Sequence, residues 1–154
     1  MRLALVVSVA AAVLVLAAPA AARIVVQGGI AGLSLHMTMA EVKAKLGTPT
    51  KVRRGRNEFG RYTEIVYPRV TVSFQGGVRA TGFRTFSRVE RTAKGIGVGS
   101  TVAAVKAKVA HVVCRTESGF RHCFVGKFLP GRVVTDFRIR HGRVASITLG
   151  YVLD

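Results

Sequence analysis

Leu33-Ser-Leu-His-Met-Thr-Met-Ala-Glu-Val-Lys-Ala-Lys-Leu46 and Ile96-Gly-Val-Gly-Ser-Thr-Val-Ala-Ala-Val-Lys-Ala-Lys-Val109 are the stretches whose reading decides the fold. An offset of 63 residues lays Thr38 on Thr101, Ala40 on Ala103, and Val42-Lys43-Ala44-Lys45 on Val105-Lys106-Ala107-Lys108. The same offset puts Val70 on Val133 and Phe74 on Phe137. Agreement at one offset in two separated stretches points to an internal duplication.

Each stretch predicts a short helix. Thr38 stands at an N-cap with Glu41 three residues on, the capping-box spacing. Met39, Val42 and Leu46 share a face, Gly47 can take the left-handed C′ conformation, and Pro49 stops the helix. In the second stretch Thr101 caps, and Val102, Val105 and Val109 form the stripe. Neither helix is long enough to stand alone, so each stripe needs a surface to pack on.

Sheet is the predicted surface. Val70, Val72 and Phe74 alternate with polar residues over 69–74, and Gln75-Gly76-Gly77 reads as a turn into a strand over 78–85. Arg84 and Phe86 break the alternation begun at Val78, which places a bulge near Gly82. Strands over 133–140 and 144–153, turning at His141-Gly142, match this pattern, and earlier strands are expected at 61–67 and 120–125. The predicted fold is therefore α+β: two tandem repeats, each a short helix followed by three or four antiparallel strands. The helices pack on one face of the sheet and the other face is wet. The first repeat covers residues 23–86, the linker 87–94, and the second repeat 95–154.

The pattern Gly-Ile-x-Gly-x-x-Leu-x-Met-Thr-x-x-Glu-Val-x-x-x-Leu-Gly-x-Pro runs from Gly29 to Pro49. It resembles the opening helix of small exported bacterial domains of the SmpA/OmlA type. Two such units in tandem resemble the β-lactamase-inhibitory-protein-like architecture. The resemblance implies a non-enzymatic protein that binds other proteins or stabilises envelope assemblies. It assigns no binding residue here. The chain departs from the inhibitors in having no Trp and three Tyr, and from the envelope lipoproteins in having no Cys near the signal cut.

Residues 1–22 read as a cleavable secretory signal: Arg2, an apolar run over 3–18 broken only by Ser8, then Pro19 and Ala20-Ala21-Ala22. The run is shorter than the ~20 apolar residues of a spanning helix. Cleavage is expected between Ala22 and Arg23, giving a secreted, periplasmic or cell-envelope protein. Removing the signal takes away only Arg2, so the net charge of +17 falls to +16. Such a field favours anionic partners and speeds encounter with them. An arginine-rich genomic composition explains the same charge without selection.

Cys114 and Cys123 are the only cysteines, and in an exported chain an even count argues for a disulfide. Together with His111 and His122 they have the ligand types that zinc takes. Adjacent residues His122 and Cys123 point to opposite faces of a strand, which argues against that set. The glycine-rich run 95–101 has Ser100 where a phosphate loop needs Lys, and reads as a turn into a helix cap. The acids and histidines are scattered, with no nucleophile on a strained elbow, so no catalytic residue, metal or cofactor is assigned. The candidate anion-binding residues are Lys51, Arg53, Arg54, Arg56 and Arg61, and a second cluster of Arg138, Arg140 and Arg143. The leading expectation is a monomeric, non-catalytic binder of an unknown protein or an anionic envelope polymer. The alternatives are a non-specific binder of anionic polymer or lipid surface, in electrostatic contact only, and a small exported enzyme. Nucleic acid is disfavoured, because no reading motif accompanies the charge.

Overall fold

Thr38 and Thr101 each start a helix in the computed structural model, which describes residues 23–153. The expected signal, with Ala22 of its cleavage pair, lies outside the described residues. Helix α1 is Met39–Leu46 and α2 is Val102–Lys108. Thr38 Oγ1 accepts from the Glu41 N–H at 3.3 Å, and the Thr38 N–H donates to Glu41 Oε2 at 2.7 Å, closing a capping box. The bond from the Thr38 backbone holds the Glu41 carboxyl below its ordinary value. Gly47 ends α1 at φ 79°, a conformation glycine adopts without steric cost. Thr101 accepts from the Ala104 N–H at 3.2 Å, and no acid reaches back to it.

The rest of the regular structure is strand. A small antiparallel sheet holds β1 (Ile24–Val25), β2 (Gly29–Ile30) and β3 (Leu33–Ser34). A large antiparallel sheet holds β4 (Lys51–Asn57), β5 (Gly60–Val66), β6 (Thr71–Gln75), β7 (Gly82–Thr85), β8 (Val113–Glu117), β9 (Phe120–Gly126), β10 (Val133–Arg140) and β11 (Arg143–Tyr151). Its order is β4-β5-β6-β7-β11-β10-β9-β8, so two four-strand meanders meet by their last strands. Gly82 faces Gly150 in that seam. A Cβ on Gly150 would lie 2.8 Å from the Thr81 carbonyl oxygen and 2.9 Å from Gly82 Cα, an approach that excludes larger residues.

Alternation along the strands builds the core. Ile65, Val72, Phe74, Phe83, Phe137, Ile147 and Leu149 share one face of the large sheet and are buried. Each contributes on the order of 1.5–3 kcal/mol relative to exposure. Ile24, Ile30 and Leu33 of the small sheet cover this face, with Ile96 from the chain before α2. The turn after β1 is tied to β10: the Gln27 N–H donates to Thr135 Oγ1 at 2.7 Å, and the Gln27 side chain donates to the Val133 carbonyl at 2.9 Å.

This arrangement corrects the α+β reading of two repeats with helices laid on one face of the sheet. The described residues hold eleven strands and two short helices, in antiparallel sheets of three and eight strands. The physical reason is length. Helices of eight and seven residues each bury a single side chain, Val42 and Val105. That is too little apolar area to cover eight strands, so a second sheet does most of the covering. Two local expectations also change. Val78 is 71% exposed in a loop, and the strand begins only at Gly82. The bulge is not at Gly82 but in the β10–β11 pairing, where Ala145 falls between the pairs Arg138–Ser146 and Ile139–Val144.

The connection 87–94 carries Glu90, whose side chain is fully buried. Arg23 Nε lies 3.2 Å and Arg69 Nη1 3.8 Å from its carboxylate. Burial pushes the Glu90 carboxyl up, against the pull of the two guanidiniums. The Arg23 and Ile24 N–H groups both donate to the Arg91 carbonyl, so residues 23–24 are held to this connection.

Candidate functional site

The small sheet covers one face of the large sheet, with only Val42 and Val105 buried from the two helices, and the other face is open. Two grooves run over it. One, of about 680 Å³, is bordered by Arg84, Phe86, Phe120, Phe128, Arg138 and Arg140. The other, of about 540 Å³, is bordered by Arg53, Tyr62, Gln75, Arg84 and Tyr151. Strand register lays the side chains out in rows. Arg115, His122, Arg138 and Ser146 form one row across β8, β9, β10 and β11. Phe124, Asp136, Thr148 and Arg84 form the next, ending on β7.

The β8–β10 side of this face is aromatic and cationic. Phe120, His122, Phe124 and Phe128 pack together, with Phe124 and Phe128 edge to face at 4.9 Å between ring centroids. The Arg115 guanidinium lies 4.8 Å from the Phe124 centroid, and that of Arg138 lies 4.7 Å from the Phe120 centroid. Such contacts fix guanidiniums that would otherwise move freely. His122 is buried between two carboxylates: its Nδ1 is 2.8 Å from Asp136 Oδ1 and its Nε2 is 3.3 Å from Glu117 Oε2. Only the first contact has hydrogen-bond geometry. Burial pushes the Asp136 carboxyl up, while His122 and then Arg138 pull it down. Glu117 also pairs with Arg115 at 3.1 Å.

The β4–β6 side is polar. Asn57 and Gln75 exchange amide hydrogen bonds at 3.2 and 3.1 Å, and Arg53 pairs with Glu64 at 3.6 Å. The Tyr62 ring lies over Gly55, where any Cβ would fall 2.6 Å from its hydroxyl. Tyr151 Oη and His36 Nε2 are 2.5 Å apart, joining β11 to the segment before α1.

The structure divides the first predicted basic cluster between the two faces. Lys51 and Arg53 share the open-face side of β4 with Gly55, while Arg54, Arg56 and the cross-strand Arg61 lie on the opposite side. In the second cluster Arg138 and Arg140 border the larger groove. Arg143 instead donates to the Gly99 carbonyl at 2.9 Å, a structural bond. Cys114 and Cys123 are disulfide-bonded between β8 and β9. Their sulfurs are therefore engaged, and His122 lies on the open face, away from Cys123 in the core. The four residues weighed as zinc ligands are thus not brought together. In the glycine-rich run the Gly97 N–H donates to Ser100 Oγ and the Gly99 N–H to the Val144 carbonyl, so these donors serve the fold.

Sequence reasoning did not select Arg84, Phe86, Arg115, Phe120 or Asp136. The signal was the alternation Phe120, His122, Phe124, which places three rings on one side of β9.

No family model matches the chain, and no curated protein does. Two solved structures align with the chain. An extracellular protein containing a SCP domain from Bacillus anthracis aligns at TM-score 0.51 and 10% identity, covering 76% of this chain and 44% of that one. A DUF4309 family protein from Bacillus subtilis aligns at TM-score 0.49 and 15% identity, covering 84% and 88%. This chain spans less than half the length of the first, and the likeness to it is one of fold alone.

Proposed function

We propose that this chain is an exported, non-catalytic binding protein whose partner docks on the open face of the eight-stranded sheet. The observation that carries the reading is the face itself. Phe86 is 66% exposed there, and Phe128 is 45% exposed, beside grooves bordered by arginine. Contiguous exposed aromatic surface on a rigid sheet marks an interaction site, and aromatic and Arg side chains are the usual anchors of one. Export is supported by the signal-like residues 1–22, by the disulfide, and by the extracellular source of one fold neighbour. The SmpA/OmlA-type motif over Gly29 to Pro49 supports a binding role over a catalytic one.

The test places a photo-crosslinking residue at Thr148, in the middle of the open face, and a control at Arg56 on the other side. The oxidised protein is incubated with its own cell-envelope fraction at low and at about 0.15 M salt, a range over which exposed charge contacts weaken. A discrete protein captured from position 148 at both salts supports the reading. Capture of polymer or lipid alone, from both positions and only at low salt, makes the protein a non-specific polyanion binder instead.

A further inference from the structure

A third groove lies on the core side of the large sheet, away from the open face. It has a volume of about 440 Å³ and sits where β1, the connection 87–94, the end of α2 and β9 meet. Its buried lining includes Ile24, Val109 and Val125, all part of the core. Its exposed lining includes Val25, which is 58% accessible beside that apolar surface. A concave, mostly apolar site of about 300–1,000 Å³ is of the size that holds a small molecule. The groove is also preformed, because the segment that makes one wall is tied at both ends. The Arg23 and Ile24 N–H groups donate to the Arg91 carbonyl, and the Gln27 N–H donates to Thr135 Oγ1.

The charge bordering this groove is of one sign. Lys94 and Lys108 line it with His111, and among the described residues no Asp or Glu does. Both lysines are exposed, and among the described residues neither forms an ion pair. The neighbouring polar side chains serve the fold. The Gln27 amide donates to the Val133 carbonyl at 2.9 Å, and Thr92 Oγ1 accepts from the Ile96 N–H at 3.0 Å. A peptide or a sugar would bury donors and acceptors that need partners, and the groove offers little besides its lysines. A second copy of the chain would bring its own net charge of +17 against them. The surface matches a molecule with one anionic group and an apolar remainder.

We infer that this groove binds a single-chain anionic amphiphile of the fatty-acid class, with its acyl chain against Ile24, Val25, Val109 and Val125 and its carboxylate held by Lys94 and Lys108. Burial of the chain supplies the affinity, and each methylene adds to it until the groove is filled. A lysine ammonium is a compact charge on a flexible stem, which suits a head group at the mouth of a groove. The site is separate from the open face and stands or falls independently of it.

The probe is dodecanoate, titrated into the oxidised protein by calorimetry below its micelle concentration and at about pH 8, where its carboxylate is ionised. Methyl NMR shifts report where it binds, and they should concentrate on Ile24, Val25, Val109 and Val125. Octanoate should bind about tenfold or more weakly through lost methylene burial, and dodecanol, which lacks the charge, about fivefold more weakly. Val25→Glu should weaken dodecanoate binding about tenfold or more, and Lys94→Gln/Lys108→Gln about fivefold. Lys43→Gln/Lys45→Gln on α1, which changes the net charge equally, should alter it less than about twofold. Thermal melts establish that each variant is folded. Absence of saturable dodecanoate binding, equal binding of dodecanol, equal loss from the two lysine pairs, or shifts centred on the open face each overturns the inference. Retention on vesicles of anionic phospholipid without binding of monomeric dodecanoate also overturns it, and makes the groove a bilayer contact.

Discussion

The two halves of the large sheet share a strand plan and differ in what they display. From α1 through β7 and from α2 through β11, each half is a capped helix followed by a four-strand meander. On the core side they match at two positions: Phe74 and Phe137 are both buried on the third strand of their meander, and Val42 and Val105 are the buried residue of their helix. On the open side they diverge. The β4–β6 half uses an Asn57–Gln75 amide pair and an Arg53–Glu64 ion pair, in which polar groups satisfy one another. The β8–β10 half stacks rings, and among the described residues neither Arg138 nor Arg140 forms an ion pair. The edges diverge as well. Strand β8 is bonded covalently to β9, while β4 carries Lys51, Arg53, Arg54 and Arg56, charges that discourage pairing with another chain. The difference teaches that one strand plan can carry two unlike surfaces, one whose polar groups satisfy one another and one that is aromatic and cationic.

The sharpest way to break the comparison is to attack the equivalent core positions. Phe74→Ala and Phe137→Ala should each cost about 3–5 kcal/mol in urea denaturation. Circular dichroism and hydrogen exchange should report one common transition for both variants. Two transitions would show that the halves unfold independently and that the seam is weak.

The next effect belongs to one half only. Replacing Cys114 and Cys123 with Ala should cost about 3 kcal/mol through the unfolded state, less any relaxation. Exchange protection should fall first in β8 and β9, with β4 and β5 unchanged. A uniform loss across the sheet would mean that the bond supports the whole molecule and not its edge.

The helix caps test a finer asymmetry. Thr38→Ala breaks a reciprocal box and should cost about 1–2 kcal/mol, whereas Thr101→Ala breaks a single bond and should cost about 0.5–1 kcal/mol. Equal costs would show that the Glu41 return bond contributes nothing.

The smallest effect is one of pH. Burial raises the folded-state carboxyls of Asp136 and Glu90 above their ordinary values. Their contribution to stability is fully present below the ordinary carboxyl range and is lost as pH rises through the raised values. Denaturation midpoints followed from about pH 4 to pH 7 should therefore carry a falling component from these groups, which Asp136→Asn reduces. An unchanged profile in that variant would remove Asp136 from the account.

Much of the local structure was legible because it is written in short-range rules. Thr38 and Thr101 cap, Gly47 terminates, and the alternation at Val70, Val72 and Phe74 forms a strand, since each needs only neighbours along the chain. The layering was not legible. Val42 and Val105 look like the leading edge of an apolar helix face, and only the folded sheet shows how little of the core they cover. Strand β4 escaped because an edge wet on both sides needs no alternation, and Arg53, Arg54 and Arg56 read as a charged loop. The three strands over residues 24–34 are two residues each, below the length at which periodicity has meaning. The candidate site was half legible. Arg138 and Arg140 stood out by charge, but Arg84 and Phe86 join them only through the β7–β11 pairing, which spans more than sixty residues of chain.

That pairing has a consequence for how the molecule is made. Synthesis delivers residues in order, and β11 is the last strand to appear, yet it sits fourth from the β8 edge, between β7 and β10. Until it arrives, both nascent meanders present raw hydrogen-bonding edges, and Phe83 and Phe137 lack the Ile147 and Leu149 side chains between them. Sheet closure thus follows the making of both meanders and has high contact order, slow by nature and exposed to mispairing while it waits. The final strand acts as a keystone, and the interval before it is set is the time during which the chain most needs protection.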